Sequence, residues 1–325
     1  MSFKRALALL LGAAICIALT GCGKKEYPAR NLTGVIQWGA GGGTDTLMRP
    51  LCDLAGEELG VKVVARNVAG GSGSIGLETV YDAKADGYTL LLGAENPALY
   101  RELDITEHSY DDFECILLVG DETVGIAVNR DAPYATLEEL IADAVARPGK
   151  ITCATTGKGG LPWQVNALLY AVTGARFNEI PFDSDASART AVISGECVFT
   201  ACKLQSGLES WKSGDLKYLC LLTGAEDARM PGVPPITDTY TEFGSFLPWG
   251  PFYGVFVKKG TPEEVVDRLT KGFEKAFAKP SYAQVLQRLC VNPLGLKGAE
   301  AREYIDRWSR VTTQALRQSG ALDKP

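Results

Sequence analysis

A glycine-rich run near the start of the chain has the residue types of an anion-binding loop. A strand-like stretch at residues 35–37 precedes Gly39-Ala40-Gly41-Gly42-Gly43, and Thr44 and Asp45 then open a segment with helical spacing. The first N–H groups of a helix lack partners within the helix, and the helix dipole favours negative charge there. Glycines let the backbone approach a ligand that a Cβ atom would exclude. We therefore expect Gly41, Gly42, Gly43, Thr44 and Asp45 to hold a small anion.

A second run with the same order occurs in the other half of the chain. Thr155, Thr156, Gly157, Lys158 and Gly159 follow a predicted strand at residues 150–154, and a proline after them suits the first position of a helix. Ligands of open α/β sheets collect at the carboxyl ends of strands. Two such loops could face each other across a cleft and each bind a carboxylate or another small oxyanion. The alternative is that both are ordinary tight turns between a strand and a helix.

Other chemistry finds little support. Gly71-Ser72-Gly73-Ser74-Ile75-Gly76 matches a dinucleotide fingerprint, but the connection from the preceding predicted strand at 61–64 is too long for the tight turn. The first loop lacks the Gly-Lys-Ser/Thr of a P-loop. His108 is the only histidine, and no G-x-S-x-G elbow occurs. We expect no cofactor, no metal site and no enzymatic activity, although threonine or carboxylate hydrolase chemistry stays open.

The elements around these loops alternate between strand and helix, which is typical of parallel α/β architecture. Residues 230–252 are rich in proline, glycine and aromatic residues and are predicted to be irregular. Pro50 conflicts with a helix over 47–59, so we expect a kink or a late helix start. Thr136 and Thr261 each have the pattern of an N-cap, with Pro262 at the first helical position in the second case. Further strands are predicted at residues 35–37, 88–92, 116–119, 125–129, 197–201, 218–222 and 255–257, and further helices at 75–85 and 162–172 and around 265–277 and 301–315.

The N-terminus carries an export signal. Lys4 and Arg5 precede an apolar run over residues 6–19, which is too short to span a bilayer comfortably. Leu19-Thr20-Gly21-Cys22 resembles a bacterial lipobox, which implies cleavage before Cys22 and its acylation. We predict a signal peptide at residues 1–22 and a tether at 23–31. Two α/β domains follow, the first from 32–124 with 250–325 and the second from 125–249.

Composition is that of a soluble globular protein, with 46% hydrophobic and 22% charged residues. A net charge of −6 without a basic block argues against nucleic acid as a partner. Of the nine cysteines, Cys16 and Cys22 lie in the signal and lipobox. The others form no CxxC pair and mostly lie in apolar runs, so we expect free, buried thiols.

The order of motifs resembles the Bug-type (TctC-type) solute-binding proteins of tripartite tricarboxylate transporters. The resemblance runs from about residue 35 to the C-terminus. It rests on the following segments: Gly39-Ala40-Gly41-Gly42-Gly43-Thr44-Asp45, Asn67 with Gly70 and Gly73-Ser74-Ile75-Gly76, Asp86-Gly87-Tyr88-Thr89-Leu90-Leu91, Asn96-Pro97-Ala98-Leu99-Tyr100, Pro148-Gly149-Lys150-Ile151 and Gly260-Thr261-Pro262. Each piece is weak alone, but their spacing along one chain makes the match fairly specific.

The resemblance implies a type II periplasmic-binding-protein fold, with two α/β domains around a ligand cleft. It implies a receptor that captures a small carboxylate through the two loops and delivers it to a permease with a large and a small membrane subunit. We expect an extracytoplasmic, lipid-anchored monomer. A ligand sensor for a signalling partner would share every motif, and a cell-surface enzyme is the remaining alternative.

The chain departs from the family pattern at four places, of which the first is the lipobox in place of the plain signal peptide that many members carry. Lys158 stands where the family often has Asn, and the loop at Gly93-Ala94-Glu95-Asn96 is several residues shorter than usual. The family's Phe-Asp-Ser segment falls on Ala201-Cys202-Lys203, so we expect a carboxylate near the ligand to be absent and Lys203 to lie beside that place. This exchange predicts that amino acids are disfavoured and that Lys158 and Lys203 favour a di- or tricarboxylate. The alternative is that both lysines are solvated.

Overall fold

The computed structural model describes residues 26–323, which form two β-sheets flanked by helices. The first sheet has the strand order β11-β4-β10-β3-β1-β2, and the second has the order β7-β6-β8-β5-β9. The strands are β1 (Leu32–Ile36), β2 (Val63–Asn67), β3 (Thr89–Ala94), β4 (Phe113–Glu122), β5 (Val124–Asn129), β6 (Thr152–Thr155), β7 (Asn178–Pro181), β8 (Phe199–Lys203), β9 (Leu216–Leu221), β10 (Phe252–Lys258) and β11 (Val291–Leu296). The helices are α1 (Gly43–Leu59), α2 (Ser74–Tyr81), α3 (Leu137–Ala146), α4 (Leu161–Thr173), α5 (Asp185–Ile193), α6 (Leu204–Lys212), α7 (Glu263–Phe277), α8 (Pro280–Arg288) and α9 (Gly298–Gln318).

The two sheets repeat one local arrangement. In the first sheet β1 pairs in parallel with β2 on one side and with β3 on the other, and β3 pairs antiparallel with β10. In the second sheet β6 pairs in parallel with β7 and β8, and β8 pairs antiparallel with β5. Because parallel strands end at the same edge, the segments that follow β1, β2 and β3 gather at one edge, as do those that follow β6, β7 and β8.

The chain passes between the sheets twice. β4 and β5 are separated by Thr123 alone, and the return runs from β9 through residues 222–251 to β10. This return contains 3₁₀ turns at Ile236–Asp238 and Thr241–Ser245, which confirms the predicted irregular segment. The last helix, α9, packs against β4 of the first sheet and α4 beside the second, so it ties the two halves together.

Apolar burial on both faces of the first sheet explains why its strands read as continuous hydrophobic runs. Leu90, Leu91 and Leu92 are fully buried on consecutive positions of β3. One face packs on α1 and α7, where Leu51 and Phe273 are also fully buried. The helices predicted around residues 265–277 and 301–315 are confirmed as α7 and α9, and Leu269, Phe273 and Trp308 are among their buried residues.

Several local predictions were wrong. The helix around Pro50 begins at Gly43, so the late start does not occur, and Pro50 lies inside α1. Thr261 does not cap α7: its hydroxyl donates to the Lys258 carbonyl, and Pro262 is the N-cap. Thr136 does cap α3, where its hydroxyl accepts from the Glu139 N–H.

Strand ends shifted by a few residues where side-chain patterns gave no boundary. The first strand ends at Ile36 rather than at residue 37, and β8 covers 199–203 rather than 197–201.

The seven cysteines of the described range are free, and six are buried, which confirms the predicted thiols. Burial raises the pKa of Cys52 and Cys220 to about 12, so these two thiols stay protonated at neutral pH. Among residues 26–323, no helix has both the length and the apolar character that a membrane crossing needs. The predicted signal peptide and Cys22 lie outside the described residues.

Candidate functional site

A cleft between the two sheets collects the segments that follow their parallel strands. It encloses about 540 Å³. Its walls are formed by Trp38, Gly39, Ala40, Gly42, Gly43, Thr44, Ser72, Ala94, Glu95, Asn96, Thr156, Lys158, Gly159, Gly160, Leu161, Asp183, Ser184, Asp185, Lys203 and Tyr253. Both predicted glycine loops therefore contribute to one cavity of the size that suits a small molecule.

The first loop presents an open helix N-terminus. The N-cap of α1, Gly42, has an extended backbone, and no side chain caps the helix. Within residues 26–323, the amides of Gly43, Thr44 and Asp45 donate to no protein acceptor, whereas Thr46 donates to the Gly42 carbonyl. A Cβ atom on Gly43 would lie 3.6 Å from the Tyr253 hydroxyl and 3.5 Å from Gln205 Oε1, so this position faces the cleft. These amides form a donor group suited to an anion.

Asp45 holds this loop in shape and does not line the cleft. Its carboxylate accepts from the Gly41 N–H at 3.0 Å, from Arg49 at 2.5 Å and from Asn67 Nδ2 at 3.0 Å. Asn67 Nδ2 also donates to the Trp38 carbonyl at 2.9 Å, so the network fixes both ends of the glycine run. Burial opposes ionisation of Asp45, but these donors outweigh it and hold its pKa below the usual range.

The second loop presents a matching helix N-terminus on the other sheet. Gly160 is the extended N-cap of α4, again without a side-chain cap, and Pro162 is the second residue of the helix, one position later than predicted. In the described chain, the amides of Leu161 and Trp163 have no protein acceptor, and Pro162 has no amide hydrogen to satisfy. A Cβ atom on Gly160 would lie 2.1 Å from Thr156 Oγ1, so close packing of this loop requires glycine there.

A third helix N-terminus at the cleft is already satisfied. Ser184 caps α5 by accepting from the Ser187 N–H, and Ser187 reciprocates, as in a capping box. Asp185 adds a negative charge in the first turn of α5. Unlike this terminus, the α1 and α4 termini have no side-chain cap and are free to bind an anion.

Lys203 lies at the cleft but its charge is already paired. Its ammonium is 3.2 Å from Glu122 Oε2 and donates to the Tyr253 hydroxyl at 3.3 Å. Tyr253 in turn donates to Glu122 at 2.5 Å. Burial works against the ammonium, but the negative charge of Glu122 prevails and the pKa of Lys203 lies well above its ordinary value. The sequence predicted that Lys203 would pair with the ligand. Its pairing with Glu122, which lies 81 positions earlier in the chain, was not foreseen.

Although Ala201-Cys202-Lys203 carries no acid, other carboxylates line the cleft, which sequence reasoning did not foresee. Glu95 lines the cleft and is only 7% exposed, and Asp183 and Asp185 stand at its rim. Burial raises the pKa of Glu95, with Lys203 opposing this effect. The acid was missed because its position depends on β3 lying beside β1, which no local pattern encodes.

The remaining predicted site residues divide into two groups. Gly42, Gly43, Thr44, Thr156, Lys158, Gly159 and Lys203 line the cleft, whereas Gly41, Asp45, Thr155 and Gly157 support the loops from outside it. Lys158 is exposed, and within the described chain its ammonium has no ion-pair partner. Sequence reasoning missed Trp38, Ser72, Glu95 and Tyr253. A signal existed for Trp38, which directly follows the strand predicted at residues 35–37. No group of three or more potential metal ligands lies together among residues 26–323.

Comparisons with known proteins agree with this geometry. Residues 47–317 match the family described as "Tripartite tricarboxylate transporter family receptor". The protein BugT of Bordetella pertussis is 28% identical over 334 aligned positions, which cover 99% of both chains. The solved periplasmic binding protein BugD is 25% identical with a TM-score of 0.76, covering 90% of this chain and 99% of that one. MatC of Rhodopseudomonas palustris, solved with bound malate, is 20% identical with a TM-score of 0.72, covering 92% and 100%, and shows the same fold.

Proposed function

The chain belongs to the tripartite tricarboxylate transporter receptor family, and from this premise we propose that it is an extracytoplasmic receptor that captures a small carboxylate for a membrane permease. It has the periplasmic-binding-protein fold, with two α/β domains around a cleft. The family is one of solute-binding receptors, and the proposed role requires no catalysis. Residues 32–124 with 250–325 would form one jaw of the receptor, and residues 125–249 the other.

One observation supports this role most directly. Two helix N-termini without side-chain caps, at Gly42 and Gly160, open into the same cleft from the two sheets. Each offers unpaired backbone amides and the positive end of a helix dipole, which together bind a carboxylate. The spacing of two such ends in one cavity suits an acid with a carboxylate at each end.

We propose that the ligand first binds one loop and that closure brings the second loop onto its other end. Closure is driven only by the difference in affinity between the open and closed forms. The loop of Gly43 and Thr44 is held rigid by the Asp45 network, so it suits the first contact. The hinge then lies where the chain passes between the sheets, at Thr123 and near residue 250.

A dicarboxylate is the favoured ligand within the di- and tricarboxylate class. Lys158 is the unpaired cation at the rim and supports a second carboxylate, whereas Lys203 is neutralised by Glu122. The third carboxylate of a tricarboxylate would find no cation to pair with, because the remaining charged groups in the cleft wall are the acids Glu95, Asp183 and Asp185. That one fold relative holds malate is in keeping with this class.

The rest of the proposal concerns delivery. A lipid anchor on Cys22 would keep the receptor at the membrane, where the closed monomer docks onto the large and small permease subunits. The ion gradient of the permease would supply the energy, so the receptor needs no nucleotide. Cys22→Ser should release the protein from the membrane fraction, and unchanged membrane association would contradict the anchor.

Thermal unfolding with a panel of mono-, di- and tricarboxylates tests the proposed function. At a ligand concentration one hundred times Kd, binding adds about 2.7 kcal/mol to the free energy of unfolding, which gives a clear rise in Tm. Sulfate serves as the control for nonspecific anion effects. A rise with dicarboxylates but not with sulfate supports the proposal, and no rise with any carboxylate contradicts it. Turnover of the bound acid would instead identify an enzyme.

A further inference from the structure

Glu95 is a buried carboxyl group whose hydrogen bonding within the protein is limited to its own backbone amide. It follows the last residue of β3, is 7% exposed and forms part of the cleft wall. Within residues 26–323, no other residue donates a hydrogen bond to its carboxylate. A buried carboxylate is costly unless a charge or a hydrogen-bond donor pairs with it. Its partner is therefore to be sought inside the cleft.

The nearby donors are already used elsewhere. The Tyr100 hydroxyl donates to the Ser72 carbonyl at 2.8 Å, and the Tyr110 hydroxyl donates to the Ala94 carbonyl. The Tyr253 hydroxyl and the Lys203 ammonium both serve Glu122. Polar groups thus surround Glu95, but none of these four makes a hydrogen bond to its carboxylate.

The charges around Glu95 also favour a donor over an acceptor. Its charged neighbours are Lys203, which Glu122 neutralises, and the carboxylates of Glu122 and Asp185. An acid that presents only carboxylate and methylene groups leaves Glu95 unpaired, and it would place a further negative charge close by. An acid with an ammonium or hydroxyl group between its two carboxylates could donate a hydrogen bond to Glu95.

We propose that Glu95 selects, among small dicarboxylates, those that carry an amino or hydroxyl donor on the carbon chain. This inference rests on the proposed function, because the two carboxylates are held by the amides at Gly43–Thr44 and Leu161. It reverses the expectation that amino acids are disfavoured. The family pattern has a carboxylate where this chain has Ala201-Cys202-Lys203, and in this chain the acid would come from the opposite sheet.

Three four-carbon acids that differ in one substituent test the selection. Succinate carries no donor, malate carries a hydroxyl and aspartate carries an ammonium, and calorimetric titration gives the Kd of each with the wild-type protein. We expect the better of malate and aspartate to bind roughly tenfold to a hundredfold more tightly than succinate, as one hydrogen bond to a charged group gives. Preference for aspartate would identify the ammonium as the donor, and preference for malate the hydroxyl.

The variant Glu95→Gln and its matched control complete the experiment. Gln keeps the size of the side chain but removes its charge, so the preference over succinate should fall to about threefold or less. Glu264→Gln changes an exposed glutamate of α7 outside the cleft and should keep the wild-type ranking.

The outcomes separate the two proposals. Equal binding of all three acids to the wild type overturns the role of Glu95 while the carboxylate receptor stands, and this result needs no variant. An unchanged preference in folded Glu95→Gln also overturns it. If no carboxylate of the wider panel binds the wild type, the proposed function itself fails.

Discussion

Glu95 and Lys203 occupy equivalent places in the two sheets. Glu95 follows the last residue of β3, and Lys203 is the last residue of β8. Each of these strands pairs in parallel with the strand that leads into a glycine loop, β1 or β6, and antiparallel with a strand on its other side. The carboxyl end of the corresponding strand thus carries an acid in one half and a base in the other. Because Glu122 takes the charge of Lys203, the acid alone is left for the ligand.

Gly43→Ala should weaken carboxylate binding without weakening the fold. The added methyl group would point into the cleft at ordinary contact distance from Tyr253 and Gln205, and the backbone needs no change. Alanine is favoured over glycine in a helix by up to about 1 kcal/mol, so Tm should stay equal or rise. We expect a loss of affinity of tenfold or more.

Gly244→Ala is the control for this variant, because a methyl group there meets nothing within 4 Å and the site lies outside the cleft. Titration and thermal unfolding of both variants measure the two effects. Wild-type affinity in Gly43→Ala would show that the α1 terminus does not hold the ligand.

Lys158→Gln should reduce affinity for dicarboxylates but leave that for monocarboxylates unchanged. The exposed ammonium is proposed to meet only the second carboxylate, and an exposed ion pair contributes up to about 1 kcal/mol, or about fivefold in Kd. The loss should shrink in high salt, since exposed charges are screened. Lys150→Gln, another exposed lysine outside the cleft, should bind as the wild type does. An equal loss for both classes of acid would speak against this assignment.

Lys203→Met should destabilise the protein, in contrast to Lys158→Gln. It would leave the fully buried Glu122 without its cation, and removing one partner of a buried pair costs about 3–5 kcal/mol. The double variant with Glu122→Gln should recover most of that loss. Urea unfolding of the single and double variants measures the coupling. Wild-type stability in Lys203→Met would mean that the lysine is solvated and free for the ligand.

Glu95→Gln should make the ligand-free protein more stable at neutral pH. Burial raises the pKa of Glu95, so the folded protein keeps this proton to a higher pH than the unfolded chain does. Above about pH 4.3, the ordinary glutamate pKa, the unfolded chain releases its proton first, and the free energy of unfolding of the wild type falls until the folded carboxyl also ionises. Gln has no such proton. In urea unfolding, the variant should therefore have a higher free energy of unfolding than the wild type at pH 7 and an equal one below pH 4. A lower free energy of unfolding of the variant at pH 7 would refute the assignment.

The sequence was informative where the signal is local. A strand, a glycine cluster and a helix start follow one another within a dozen residues, so both loops and the Thr136 cap could be predicted. The pairing of Lys203 with Glu122 could not, because it depends on β5 joining β8 after the chain leaves β4. In the sequence, Glu95 is recognisable only as part of a short loop, since its burial follows from strand order. Thr261 failed as a cap because its hydroxyl finds the nearer Lys258 carbonyl.

A crystal structure of the protein with a four-carbon dicarboxylate tests the central claim most directly. The account predicts one ligand in the cleft, with one carboxylate within hydrogen-bond distance of the Gly43 and Thr44 amides and the other at the Leu161 amide. A ligand bound elsewhere, for example in the groove of about 680 Å³ lined by Phe113, Lys271 and Arg302, would contradict it. So would a ligand in the cleft whose carboxylates touch neither helix N-terminus.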